Sequence, residues 1–327
     1  MSKGIGKTFG FGIAKEATRG TAESTADFWI PFEEMNIDEK DTKIVDENAY
    51  GVIEDSVSQS IVKQWAEGNA KLPVYDKSIG LILLSLFGDV DSAAHSGETL
   101  AYDHTYSVLQ DSQHQSLTLF VNDPLSGQDY KHALGVVSSL ELSYALGKYI
   151  GVTPSFKAKK GETATLTPSI SVENKFLSQH VSFKLAANQT GLDAASAINV
   201  KSLSLKIDQG ITDNDVLGSI APDDFLTTQF SIEGNVELVW EAETYKDMAL
   251  EATEKAMRID IKNSDVTIGT AANPQLKIDL HKVIFKDITR PVKVKDLVMQ
   301  TLSFKAHYNI TDSKMVTAVL TNLQASY

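Results

Sequence analysis

Apolar and polar positions alternate with a period of two over much of this chain. Leu117, Leu119 and Val121 occupy every second position, as do Leu203, Leu205 and Ile207, which is the spacing of half-buried strands. Strands are expected over 32–37 after Trp29 and Pro31, over 58–72, and over 136–144 and 149–159, the last two forming a hairpin that turns at Gly147-Lys148. One segment breaks the period. Ile79, Leu81, Ile82, Leu83, Leu84 and Leu86 predict a short apolar helix over 76–87, stopped by Gly88. Residues 1–27, rich in Gly, Thr, Ser and Ala, read as an extended or flexible arm. Residues 38–55 read as a long acidic loop or hairpin end, and 88–115 as a polar, loop-like insertion.

The second half follows the same order. A first strand over 198–207 leads to an acidic loop over 208–224, a long strand over 225–240 and a helix over 244–256. A strand over 257–261 and a final hairpin, 276–285 with 297–310, complete it. Short identities mark the parallel: Glu67-Gly68-Asn69 returns as Glu233-Gly234-Asn235, and Ser155-Phe156-Lys157-Ala158 returns as Ser303-Phe304-Lys305-Ala306. The copies stand 166 residues apart at Glu67 and Glu233 but 148 apart at Phe156 and Phe304. Loop insertions account for that difference. Such a unit is too long for a solenoid repeat and fits one domain. The expected organisation is a first domain with its arm over 1–161, a linker over 162–176 and a second domain over 177–327. Gly68, Phe156, Gly234 and Phe304 anchor the repeat, the two glycines relieving backbone crowding within the long strands.

Composition changes this picture mainly by exclusion. The 327 residues contain no cysteine, which removes disulfide scaffolds, Cys-ligated zinc and thiol catalysis. A net charge of −13 argues against a protein that grips nucleic-acid phosphates. The N-terminal stretch 1–11 lacks the apolar run of a signal peptide, and the longest apolar stretch, 79–87, is about half the length of a membrane span, so a chain made without export and not inserted in a membrane is expected.

Catalytic constellations are missing too. Gly4-Ile5-Gly6-Lys7-Thr8 resembles the end of a phosphate-binding loop, but no strand precedes it. The seven histidines are scattered; His95, Asp103, His104 and His114 come nearest to a metal set, and nothing fixes them on one face. Adjacent acidic pairs such as Glu33-Glu34 and Asp223-Asp224 point to opposite faces of a strand. The expectation is a non-enzyme with no cofactor and no metal.

Several stretches together resemble the tail tube (major tail) proteins of long-tailed siphophages. They are 13–22 (IAKEATRGTA) followed by Phe28-Trp29-Ile30-Pro31-Phe32, then Trp65-Ala66-Glu67-Gly68 leading to 79–88 (IGLILLSLFG), and His104-Thr105-Tyr106 before Ser116-Leu117-Thr118-Leu119. The likeness is best over the first 160 residues. It implies a mainly β fold of two tandem β-barrel or sandwich tail-tube domains, each with one flanking α-helix packed on the outside of the barrel. It further implies homo-oligomeric rings, three chains supplying six domains, stacked into a hollow tube in the virion tail after assembly in the host cytoplasm. A tape measure protein, a tail terminator and baseplate or initiator proteins are the implied partners, with double-stranded DNA passing through the lumen unbound. On that basis Glu67, Glu141, Glu233, Glu237 and Asp279 are candidates for the lumen wall, and Asp38, Asp41, Asp46, Glu47, Asp208, Asp213 and Asp215 for ring-to-ring contact loops. The alternatives are another β-rich virion component, in a baseplate or decorating a capsid, or a host-surface carbohydrate-binding module. The wide separation of Trp29, Trp65 and Trp240 argues against the clustered aromatics of the latter.

Overall fold

The computed structural model describes residues 5–124, 129–292 and 294–327; residues 1–4, the start of the expected arm and of the Gly-rich loop-like motif, lie outside the described residues. The first half contains β1 (Gly10–Lys15), β2 (Phe28–Trp29), β3 (Glu34–Asp46), β4 (Ser58–Pro73), α1 (Ile79–Phe87), β5 (Gly88–Ala94), β6 (Tyr102–Val108), β7 (Leu117–Asn122), β8 (Tyr130–Ala145), β9 (Gly151–Ala158) and β10 (Glu162–Thr163). The second contains β11 (Val181–Ala186), β12 (Ala197–Ile198), β13 (Ser202–Asp208), β14 (Ile211–Asn214), β15 (Asp224–Thr227), β16 (Ser231–Val239), α2 (Thr244–Leu250), β17 (Lys255–Lys262), β18 (Gln275–Thr289), β19 (Met299–Ala306) and β20 (Val316–Asn322).

Neighbouring strands run β2-β1-β7-β8-β9-β4-β3 in the first half. In the second they run β12-β11-β17-β18-β19-β16-β13, the same order position by position. β10 and β20 extend the parallel, each following the last strand of that series and pairing with the first part of β8 or β18. The irregularities coincide as well. β8 slips against β9 between Val137 and Ser139, and β18 against β19 between Phe285 and Asp287. β7 slips against β8 after Leu117, and β17 against β18 after Lys255. Bulges bend their strands, and here they carry β8 and β18 from one layer into the other.

One layer is a long antiparallel sheet, β3-β4-β9-β8-β13-β16-β19-β18, continuous across both halves through the β8–β13 pairing of Ser139–Ala145 with Ser202–Asp208. The other consists of two cover sheets, β1 and β7 with their neighbours over the first half, β11 and β17 with theirs over the second. Phe11 of β1 meets Phe156 of β9 with ring centroids 5.8 Å apart, and one contiguous core joins both halves. The repeat anchors are direct cross-strand partners: Gly68 faces Phe156, and Gly234 faces Phe304. A Cβ on Gly68 would lie 1.7 Å from the Asn36 carbonyl oxygen, and one on Gly234 2.3 Å from that of Ser204. Asn36 and Ser204 are opposite numbers in the two halves, so one crowding constraint has selected glycine twice.

Several expectations need correction. The arm is not loose beyond its start: β1 is buried and paired with β7, because its small residues flank the core side chains Phe11 and Ile13. Glu16, also buried, accepts hydrogen bonds from Ser116 Oγ (2.6 Å), Leu134 N (2.7 Å), Gly20 N (2.7 Å) and Thr118 Oγ1 (3.2 Å), which pins the following turn. The polar insertion 88–115 contains the β5–β6 hairpin, whose β6 pairs with β20 of the second half. Of the acidic stretches, 38–55 takes the hairpin alternative, β3 staying paired with β4 as far as Asp46 and Ser58, while 208–224, expected as a loop, contains β14 paired with β15. Most importantly, the helices are unequal and α1 is not on the outside. All nine residues of α1 are buried, since the second half closes over it: Gln209 Nε2 donates to the Ser85 and Leu86 carbonyls, and Phe230 packs on Phe87. α2, shorter than its predicted 244–256, has no fully buried residue.

Candidate assembly surfaces

Strict alternation gives the long sheet two unlike faces. One carries the core side chains Leu140, Leu142, Leu205, Ile207, Val236, Leu302 and Phe304. The other is polar on every strand. Asp38, Glu67 and Lys157 stand side by side on β3, β4 and β9, and Glu141, Lys206, Glu233 and Lys305 on β8, β13, β16 and β19. Ser139, Ser143, Ser155, Ser204, Asn69, Asn235, Ser303 and Thr301 fill the positions between. Four of the five wall candidates, Glu67, Glu141, Glu233 and Glu237, therefore share this one face.

Asp279 does not. It lies in the first part of β18, among the strands of the cover sheet, and is only 4% exposed. Arg258 Nε donates to its Oδ1 at 2.6 Å and Arg258 Nη2 to its Oδ2 at 2.8 Å, while Asp193 takes the remaining guanidinium edge. A buried carboxylate needs such a partner, so Asp279 is a structural ion-pair member and presents no charge to a surface.

The charge of the polar face is mixed. Lys286 and Lys305 bond Glu233 at 2.9 and 3.1 Å, and the Lys286 hydrogen bond, then that from Lys305, holds the Glu233 carboxyl below the usual carboxylate range. Eight carboxylates (Glu34, Asp38, Glu67, Glu141, Asp208, Glu233, Glu237, Asp287) meet six lysines (Lys40, Lys71, Lys157, Lys206, Lys286, Lys305), so the face is close to neutral although the chain is strongly acidic. Of these six lysines, the sequence reading notes only Lys71 on the wall segments. The signal was present in the alternation Lys157 and Lys305 share with Ser155 and Ser303, but assigning the face needed the register.

The seven acidic residues expected at ring-to-ring loops fall into three groups. Asp38 and Asp208 belong to the polar sheet face. Asp213 and Asp215 are engaged within the chain: Lys157 Nζ reaches Asp213 at 2.7 Å, and Lys63 Nζ reaches Asp213 at 2.8 Å and Asp215 at 2.7 Å. Burial acts to raise the Asp213 carboxyl, yet these lysines keep it below its ordinary value. Asp41, Asp46 and Glu47 lie on the projecting end of the β3–β4 hairpin, where Asp46 accepts a hydrogen bond from the Tyr50 hydroxyl at 2.5 Å.

Two edges of the long sheet remain open. β3 pairs on one side with β4 and has no partner on the other among the described residues, and β18 beyond Asp287 is paired only with β19. The histidines form no common site. His95 pairs with Asp103 at 2.9 Å, His104 bridges Ser92 and Asn322, and His114 sets Nδ1 2.9 Å from the Leu86 carbonyl and Nε2 3.3 Å from the Leu109 carbonyl, of which a neutral ring donates to one. Burial lowers His104 and His114 from their ordinary values, as expected of neutral, hydrogen-bonded core imidazoles. Among the described residues no group of three or more His, Asp or Glu could hold a metal ion, and no helix is long and apolar enough to cross a membrane.

No curated protein matches the chain. A family model described as phage tail tube protein matches residues 6–306, nearly its whole length. The β-sandwich with its polar sheet face and open edges thus has its place: the chain belongs to the phage tail tube protein family.

Proposed function

We propose that this chain is a structural subunit that closes into rings of three copies, each contributing two like units, and that the rings stack into a hollow conduit for DNA. The observation that carries this reading is the seam between the halves. β8 of the first unit pairs with β13 of the second, and the counterparts of those two edges, the end of β18 and the outer side of β3, are the edges left open. A seam that repeats from chain to chain is a heterologous interface, and it closes into a ring when the rotation permits. It also removes the unpaired edges that make an isolated sheet prone to aggregation.

Three chains would set about 24 strands around the wall, which at a spacing of about 4.8 Å and a tilt of roughly 40° gives a backbone diameter on the order of 45 Å. The polar face of the long sheet would line that bore. DNA carries about one charge per 1.7 Å of axis, so a basic wall would hold it at many phosphates. A face of matched carboxylates and lysines has little net field beyond a Debye length of about 8 Å, and so neither grips nor strongly repels it. The partners that follow from this role are a tape measure protein in the bore, a terminator at one end and baseplate or initiator proteins at the other, all in the virion tail. No catalytic step is part of the reading.

Negative-stain electron microscopy of the purified chain, with the oligomer mass measured in parallel, tests it. Hollow tubes or stackable rings of three chains are expected. Rings of six chains would reject the two-unit arrangement, and a monomer that never assembles, even with tail initiator proteins, would reject the tube role.

A further inference from the structure

The β3–β4 hairpin is left without a seat. From Lys40 to Asp46 on β3 and from Ser58 to Val62 on β4 it is exposed at nearly every position, and its tip holds Tyr50, Val52, Ile53 and Val57 at 55 to 102% exposure. A lone two-stranded hairpin is marginally stable in water, and apolar exposure on this scale marks an interaction surface. Its counterpart in the second half is seated. β14 and β15 continue from the end of β13 and lap over the first half, burying Phe225 against Leu134 and Val136 while Lys157 and Lys63 hold Asp213. Gln209 N, at the start of that lap, donates to the Ser138 carbonyl at 2.9 Å.

The shared register transfers this seat to the second half. Lys157 becomes Lys305, Val136 becomes Ile284 and Ser138 becomes Lys286, the residue at the same bulge. The transferred seat is basic: Lys282, Lys286 and Lys305 gather there, close enough that, after burial, they are what lowers the neighbouring His307. Glu233 and Glu254 pair with these lysines but leave the positive charges in excess. By that register Asp213 and Asp215 correspond to Val45 and Glu47, with Asp46 between them and Asp41 opposite the bulge position. We infer that the β3–β4 hairpin of one copy docks on the Lys282–Lys286–Lys305 face of the adjacent copy in the same ring, as a clasp over the seam. This rests on the ring reading above, and it makes the acidic hairpin a within-ring contact in place of a ring-to-ring one.

The absence of cysteine allows a direct test. Val45→Cys and Lys305→Cys are combined in one chain, unstacked rings are isolated by size, and mild oxidation is followed by denaturing electrophoresis. Covalently linked dimers and trimers are expected from unstacked rings, with neither single variant yielding trimers. Linked chains that appear only after stacking, or intact rings that never link, would overturn the docking while leaving the ring itself standing. A chain that stays monomeric by mass would overturn the ring reading and the docking with it. As a second readout, Lys282→Glu with Lys286→Glu should weaken ring formation at least tenfold, and an unchanged assembly concentration would count against the clasp.

Discussion

At the scale of single residues, the repeated glycines are the most constrained positions in the sheet. Gly68 and Gly234 do not serve a turn; they sit mid-strand, where a neighbouring carbonyl occupies the space of a Cβ. A carbonyl in a paired strand cannot retreat without breaking its ladder, so the strain of an added methyl has no soft outlet. Gly68→Ala, with the closer approach, should cost more than Gly234→Ala, and both should exceed the 1–3 kcal/mol typical of overpacking or sit at its top, about 3 kcal/mol. Gly6→Ala, with no atom within 4 Å of the added carbon, should change stability by only a few tenths. Thermal unfolding of the three variants checks the order, and a tolerated Gly68→Ala would mean that the strand crossing is looser than described.

At the scale of elements, α1 shows what could and could not be read from sequence. Its apolar run and its end at Gly88 were legible because helix period and stop signal are local. Its burial was not, because it depends on Gln209, Phe230 and Tyr327, which approach from the other half. The β5–β6 hairpin was missed for a related reason: Asp89, Asp91, Ser92 and Ala93 carry little hydrophobic alternation, and the strand exists through its pairing with β6 and through it with β20. The start of α1 also makes a testable claim. Glu173 Oε2 accepts from Ser78 N at 2.7 Å and Lys77 N at 3.1 Å, and the adjacent Asp76 accepts from Asn174 at 2.9 and 2.7 Å. Burial nonetheless raises both carboxyls above their ordinary values. The native chain then binds these protons more tightly than the unfolded one, so stability falls as pH rises from the ordinary carboxylate range through the raised values, and the cost is complete above them. Glu233 and Asp213, held low by lysines, act in the opposite sense: their stabilisation is present above the ordinary range and is lost only as pH falls through their depressed values. In the melting temperature measured against pH, the raised carboxyls contribute a rise on acidification towards the ordinary carboxylate range, while His104 and His114, held low by burial, contribute a fall as pH drops through the ordinary imidazole range. Glu173→Gln should flatten the carboxyl slope, by roughly 1.4 kcal/mol for each pKa unit removed. An unaltered slope in the variant would show that the protons are taken up elsewhere.

At the scale of the whole molecule, the seam between halves predicts its own repetition between chains, and the prediction is specific to a residue pair. Ser139 faces Asp208 across the β8–β13 ladder. The register shared by the two halves turns that pair into Asp287 on β18 and Lys40 on β3 of the next chain, both exposed here, with Lys40 only 3.8 Å from Asp38 and so weakly engaged. Opposite charges directly across an antiparallel pair contribute up to about 1 kcal/mol, and like charges destabilise by a similar amount. Asp287→Lys or Lys40→Asp alone should thus cost on the order of 1 kcal/mol at every seam. A ring of three has three such seams, so the penalties compound to about 3 kcal/mol, or roughly a hundredfold in the assembly constant at 1.4 kcal/mol per tenfold. The double variant restores attraction in the reverse sense and should recover most of that loss. Measured by ring mass against protein concentration, single variants that assemble like the parent chain would exclude this register. Single variants that fail without rescue by the double would mean that the two positions act separately, each in its own surroundings.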